Sequence, residues 1–323
     1  MFRFCALLAC VAVLAVAGCE SASNPVATPR PESGRTNTTT NLTSTEYRFK
    51  ALDVPAEWGA YTSVYGVNNS GVIAGNYFNV DETVHGFLYY RGQFTDVTIP
   101  GAAGFFSGSL GPVNDLGEAA GFYSDASDVG HAFVRARDGS ITFLPDAAPD
   151  ATDTDPTGMN NHGTIVGTYL DGAGHAHSFI HRDAGYELFD YPGATSTRLN
   201  GVNDSDIMVG QFGAAGVQHG FILANGQTTL LELPGARSTR ATAINNRGDI
   251  VGFYNNSDGV FHGFVYSGGE FTTVDFPGSS DSGAFGISNQ GVIVGTYNDF
   301  SFGFVATPLH GSEHEATEFL AGH

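Results

Sequence analysis

A block of about 43 residues recurs six times along this chain, and a period of that length dictates stacked supersecondary units rather than one irregular core. Each copy carries an Asn-x-x-Gly turn, a second Gly, a His-small-Phe element and an x-Pro-Gly or x-Pro-x turn. The turn Asn is Asn68, Asn114, Asn160, Asn203 and Asn245, with Ser288 in its place in the sixth copy, so the steps are 46, 46, 43, 42 and 43 residues. The second Gly is kept throughout, at Gly75, Gly121, Gly167, Gly210, Gly252 and Gly295. The His-small-Phe element runs His85 to Phe87, His131 to Phe133, His177 to Phe179, His219 to Phe221 and His262 to Phe264, and becomes Phe302-Gly303-Phe304 last. Pro55, Pro100, Pro145, Pro192, Pro234 and Pro277 keep the same phase.

Helical periodicity is absent, and each copy divides into four short β segments. In the fifth these are Ala241 to Asn245, Asp249 to Tyr254, Phe261 to Tyr266 and Glu270 to Phe276. Asn245-Asn246-Arg247-Gly248 reads as a tight hairpin, with Gly supplying positive φ and Asn bonding its own backbone. Asn203-Asp204-Ser205-Asp206 lacks the Gly, so Asp206 must take the left-handed conformation itself. Four-stranded antiparallel units of 42 to 46 residues predict an all-β fold, a six-bladed β-propeller of four-stranded antiparallel blades. The chain enters at residues 47–54 in the phase of a fourth strand and leaves at residues 301–306 in the phase of a third. The N-terminal strand is therefore expected to pair with the last three and close the structure. Two residues before the turn Asn position stand Gly66, Pro112, Gly158, Gly201, Ala243 and Gly286, as expected where six strands converge.

Outside the repeats the chain changes character. Residues 1–18 combine Arg3, an apolar stretch from Cys5 to Ala17, and Val16-Ala17-Gly18 before Cys19, which reads as an export signal. The apolar run is shorter than the roughly 20 residues a bilayer-spanning helix needs. Val-Ala-Gly-Cys resembles a bacterial lipobox, which implies a lipid anchor on Cys19 and membrane attachment at the outer membrane or cell surface. In the alternative, Ala15-Val16-Ala17 is an ordinary cleavage site and the product is secreted or periplasmic. All three cysteines lie in or at the end of this segment, so no intrachain disulfide is expected in the repeats. Residues 19–45 read as a Ser/Thr/Asn/Pro tether, 46–308 as the propeller and 309–323 as a polar tail carrying His310, His314 and His323. Thirteen basic against 33 acidic residues, a net charge of -20, argue against a nucleic-acid partner, and a monomer is expected.

The turn Asn, paired Gly, His-x-Phe and Pro-Gly elements, with His131-Ala132-Phe133 as the literal tripeptide, resemble the bacterial extracellular repeat family named after His-Ala-Phe. The resemblance covers residues 47–307 and implies an exported bacterial repeat protein. It carries over no catalytic motif.

Chemistry is sparse. The repeated histidines read as structural, capping loop backbone in each blade, because residues one blade apart cannot converge on a metal. No metal or cofactor site is expected: Asp125, Asp128, Asp171 and Asp258 lack calcium-loop spacing, and no phosphate loop or G-x-S-x-G element occurs. His175, His177 and His181 form the one denser histidine group. Divergent positions are more informative. Five before the turn Asn stand Ser63, Ser109, Asp155, Arg198, Arg240 and Gly283, so an Asp and two arginines, with Arg237 close in sequence, mark an anion or carboxylate site or an inter-blade ion pair. Trp58, Tyr61, Phe105 and Phe106 lie in blade-to-blade loops, where aromatics either meet a sugar or protein partner or pack between blades. Two functions follow: an envelope-anchored binding module for a glycan, peptide or envelope protein, or a hydrolase or lyase on polysaccharide or peptide that uses Asp155 or Asp281 at the axial mouth.

Overall fold

The computed structural model describes residues 42–43 and 47–309; the signal segment, Cys19, most of the tether and the histidine tail lie outside the described residues. The described chain is all β. It begins with β1 (Leu42–Thr43) and β2 (Tyr47–Leu52). The first repeat forms β3 (Gly59–Val67), β4 (Ile73–Asn79), β5 (Val84–Tyr90) and β6 (Gln93–Val97). The second forms β7 (Ser109–Val113), β8 (Ala119–Ser124), β9 (Gly130–Arg135) and β10 (Ile141–Phe143). The third forms β11 (Asp153–Met159), β12 (Ile165–Leu170), β13 (Ala176–Arg182) and β14 (Gly185–Phe189). The fourth forms β15 (Ser196–Val202), β16 (Met208–Ala214), β17 (Val217–Ala224) and β18 (Gln227–Leu231), and the fifth β19 (Ser238–Ile244), β20 (Ile250–Asn255), β21 (Phe261–Ser267) and β22 (Glu270–Thr273). The sixth contributes β23 (Ser282–Ile287), β24 (Ile293–Tyr297) and β25 (Phe302–Pro308).

Each repeat is an antiparallel sheet of four strands in chain order, the second and third sheets being joined by one parallel bridge between Asp153 and Gly130. In the sixth, β2 supplies the fourth strand by pairing with β25, from Tyr47 opposite Pro308 to Leu52 opposite Gly303. Residues 42–43, within the segment read as tether, add a short strand beyond β2.

The second Gly and the Phe of His-small-Phe form one packing unit. Gly75 faces Phe87 across the ladder, and the same pairing recurs to Gly295 and Phe304. All six phenylalanines, Phe87, Phe133, Phe179, Phe221, Phe264 and Phe304, are fully buried. A Cβ on Gly75 would lie 2.2 Å from the Ser63 carbonyl oxygen and 2.8 Å from the Phe87 ring, so only Gly lets the ring lie flat over the sheet. The buried rings and aliphatics such as Val64, Leu110, Leu199, Ala241 and Ala284 make the core between sheets.

The turns follow their chemistry. Asp206 has φ 55°, as the Gly-less turn requires. At Ile99-Pro100-Gly101-Ala102 the Ala102 N–H donates to Ile99 O with Gly101 at φ 89°, a type II turn repeated after Tyr191, Leu233 and Phe276. A device the repeat pattern did not reveal fixes these turns. Thr62, Thr154, Thr197, Thr239 and Ser282 each accept, through the side-chain hydroxyl, a backbone N–H of the loop leading into their own repeat.

Candidate functional site at the converging first strands

The first strands of all six repeats line one cavity of about 100 Å³. Each first strand carries a bulge ahead of its turn. The small residues after the bulges permit close approach: a Cβ on Gly66 would lie 2.5 Å from Gly111 O, and one on Gly201 2.9 Å from the Ala243 Cα. Bulged residues tie neighbouring strands together, with Thr157 and Thr242 hydroxyls donating to Leu199 O and Ala284 O and Asn200 Nδ2 donating to Ala241 O.

At one end of the cavity the turns bond to each other. Turn asparagines use Oδ1 to accept two N–H groups of their own turn, as Asn160 does from His162 and Thr164. Their Nδ2 donates to the turn carbonyl of the next repeat, from Asn68 to Asn114 O and on to Asn245 with Ser288 O. The following residue repeats the pattern: the N–H groups of Asn69, Asp115, Asn161, Asp204 and Asn246 donate to the side chains of Asp115, Asn161, Asp204, Asn246 and Asn289. Asn289 N–H donates to Asn69 Oδ1, which returns the series to its start. Asn161 sits between two carboxylates and donates to both, because Asp only accepts and an amide supplies both donor and acceptor. Burial opposes ionisation of Asp204, yet bonds from Asn161 and Asn246 hold its pKa below the usual carboxylate range.

Farther along the strands stand Asp155, Arg198 and Arg240. Burial pushes the Asp155 carboxyl up to about 7, opposed by the Arg198 charge and helped by Asp153. Burial, with Arg198 adding repulsion, brings Arg240 down to about 10. The Arg240 guanidinium lies 5.1 Å from the Phe253 ring centroid and 5.4 Å from that of Phe261, and its buried Nε has no hydrogen-bond partner. Phe285 and Phe300 pack on Phe253, filling the space opened by Gly283. Phe300 ends three successive residues of positive φ, Asn298, Asp299 and Phe300, and its carbonyl accepts the Ser63 hydroxyl. Asp281 accepts the Asp299 N–H, so this carboxylate braces the same turn.

The other candidates are dispersed. Arg237 is exposed on the loop before β19, and its N–H donates to Asn255 O. Trp58 is partly buried, with Tyr77 at 5.3 Å and Phe94 at 6.2 Å between ring centroids. Tyr61 is 40% exposed at a bulge with φ 55°, its ring 6.4 Å from Phe78. Phe105 and Phe106 are half-buried against Phe78 and Phe122.

The repeated histidines bond carboxylates rather than loop backbone. His131 meets Asp146 and Asp125, His177 meets Asp190 and Asp171, and His262 meets Asp275. Each histidine also packs on the ring opposite it on the second strand, as His177 does on Tyr169. His175 shares Asp171 with His177, whereas His181 packs on Tyr186. Asp125, Asp171 and Asp258 accept N–H groups of their own loops, and Asp128 that of Phe105. Among the described residues no group of three or more His, Cys, Asp or Glu converges to hold a metal.

No protein-family model matches this chain, and no curated protein matches it. Among solved structures, virginiamycin B lyase from Staphylococcus aureus is similar at 13% identity, with 81% of this chain and 99% of that one covered and a TM-score of 0.49. TolB from Acinetobacter baumannii is similar at 9% identity, covering 79% of this chain and 65% of that one, TM-score 0.47. A fucose-recognising lectin from Aleuria aurantia, described as a six-bladed β-propeller, is similar at 8% identity over 77% of this chain and 92% of its own, TM-score 0.47.

Proposed function

We propose that this chain is a six-bladed β-propeller, held at the cell envelope by a lipid on Cys19, that binds a glycan, peptide or envelope protein. Support for the blade count comes from the six four-stranded units and from the series of turn bonds that returns from Asn289 to Asn69. Support for closure comes from the pairing of β2 with β25. The observation that carries binding is the cationic layer: Arg198 and Arg240 stand half-buried on the first strands of neighbouring repeats in a chain of net charge -20, and Arg240 keeps a buried, unmatched Nε there. A carboxylate-bearing ligand entering this layer would supply the missing acceptor. Thermal-shift screening of glycans and organic anions tests the reading, because a ligand of the folded state raises its stability. A stabilising anion that acts equally on Arg240→Gln refutes the assignment of this layer. Membrane fractionation of Cys19→Ala tests the anchor, with release from the membrane as the expected result.

One observation favours the second reading, a hydrolase or lyase. A carboxyl held at about 7 beside the Arg198 guanidinium suits general acid–base work near neutral pH. Any polysaccharide or peptide cleavage found for the wild type should then be lost in Asp155→Asn, and retention of full activity would sink this reading.

A further inference from the structure

The groove between the first and second repeats is unlike its counterparts. A cavity of about 410 Å³ opens there, within the roughly 300–1,000 Å³ range of small-molecule sites. Its walls include Leu88, Tyr90 and Thr95 from the first repeat and Leu116, Arg135 and Arg137 from the second. In the other copies the place of Tyr90 is taken by Ala136, Arg182, Ala224, Ser267 and Thr307, and that of Leu116 by His162, Ser205, Arg247, Gln290 and Ser70. Between the third and fourth repeats the corresponding groove is bridged by its own charges: Arg182 reaches Asp206 at 3.3 Å and Glu187 at 3.4 Å.

The first groove has no such bridge. Arg137 is exposed and makes no ion pair among the described residues, its stem lying over Gly117. Among the described residues Arg135 donates only to the neighbouring Ala136 carbonyl, at 3.3 Å, and lies near the exposed Asp138. Tyr90 is 42% exposed, with the Arg91 guanidinium 5.3 Å from its ring centroid, and Leu116 is 55% exposed. Two guanidiniums, an aromatic ring, the aliphatic side chains of Leu88, Leu116 and Val72, and the Asp115 carboxylate, which already accepts from Asn69 and Asn161, therefore border one open cavity.

We infer that this groove binds an acidic saccharide, with one uronate carboxylate on Arg135 and Arg137 and the C–H face of the sugar on Tyr90 and Leu116. Two guanidiniums match a single carboxylate, whereas a net charge of -20 repels polyphosphates and other dense polyanions. The apolar wall residues, Tyr90, Leu88, Leu116 and Val72, share the cavity with two guanidiniums and a carboxylate, which an acyl chain would desolvate without pairing. Thr95 and Ser70 supply hydroxyls of the kind that sugar hydroxyls need. This site is separate from the cationic layer on the first strands and does not depend on it.

Titration calorimetry of the full chain with cellobiouronic acid and cellobiose, which differ by one carboxylate, tests the inference. The acid should bind with a Kd at or below about 1 mM, at least roughly tenfold tighter than cellobiose. Arg137→Gln and Arg135→Gln should each weaken it about tenfold or more, Tyr90→Ser should weaken both disaccharides, and Arg48→Gln on β2 should change neither. Arg137 is exposed, so its variant should melt with the wild type. Equal affinity for the two disaccharides, wild-type affinity in a melting-competent Arg137→Gln, or no binding of cellobiouronic acid in this range would each overturn the inference.

Discussion

Replacing Asn160 by Ala asks whether the turn asparagine holds neighbouring repeats together or only shapes its own turn. Asn160 is 3% exposed. Its Oδ1 accepts the N–H groups of His162 and Thr164, both at 3.0 Å, and its Nδ2 donates to Asn203 O at 3.1 Å and Asp206 Oδ1 at 3.2 Å. Four bonds at about 0.5–1.5 kcal/mol net put the loss at about 2–6 kcal/mol, toward the upper end because the buried Thr164 amide is left without an acceptor. That is a large share of the roughly 5–15 kcal/mol that stabilises an ordinary domain. Asn160→Asp separates the two roles. It keeps the turn acceptor but replaces the crossing donor with a charge facing the Asn203 carbonyl and Asp206, so its folded-state pKa should rise above the unfolded value near 3.9. Its destabilisation should then grow as pH rises through that folded pKa and fade in acid. Asn160→Ser imitates the sixth copy, where Ser288 Oγ accepts only the Val292 N–H, and should fall between. Urea unfolding followed by Trp58, the only tryptophan, would show lower midpoints at unchanged m. An Ala variant within about 0.5 kcal/mol of wild type, or an Asp variant equal to wild type at neutral pH, would refute the reasoning.

Gly167→Ala places a Cβ 2.3 Å from Asp155 O and 2.4 Å from the Phe179 ring, so it should cost about 1–3 kcal/mol or more by thermal or urea unfolding. Adding Phe179→Leu removes the ring clash but not the carbonyl clash, and complete rescue would contradict this account. Burial opposes protonation of His177, but bonds to Asp190 and then Asp171 outweigh it and hold its pKa above the usual value. Its contribution is therefore complete below the unfolded pKa near 6.5 and is lost as pH rises through the folded pKa. Comparing melting at about pH 5.5 and pH 8.5, His177→Gln should lose part of the wild-type decline, and an identical decline in both proteins would count against the pairing.

Much of each repeat was legible because its signals are local. The Asn-x-x-Gly turn, the Gly–Phe ladder pair and the Pro-Gly turn depend on φ preferences and on side-chain alternation within about 40 residues. Asp206 illustrates this, since a missing Gly alone required its positive φ. The carboxylate partners of the histidines are not legible in the repeat: Asp190 lies 13 residues from His177, and only strand register brings it opposite. Trp58 and Tyr61 could not be separated by composition. A bulge turns Tyr61 toward solvent while Trp58 lies on Tyr77 and Phe94. The groove at Tyr90 and Arg137 is not legible within any one repeat, because it forms only where side chains of two neighbouring repeats meet.

The sequence by itself determined the unit: its length, its four strands, its turns, and the glycines that make room for the buried phenylalanines. Only the tertiary structure decided which units bond to which, because Nδ2 of Asn68 meets the Asn114 carbonyl, 46 residues away, at an angle set by the packing of whole sheets. The same packing sank Asp155 and Arg240 into one layer and left Arg137 in the open. A side chain's pKa and its free donors depend on solvent access, which no residue carries in its own identity.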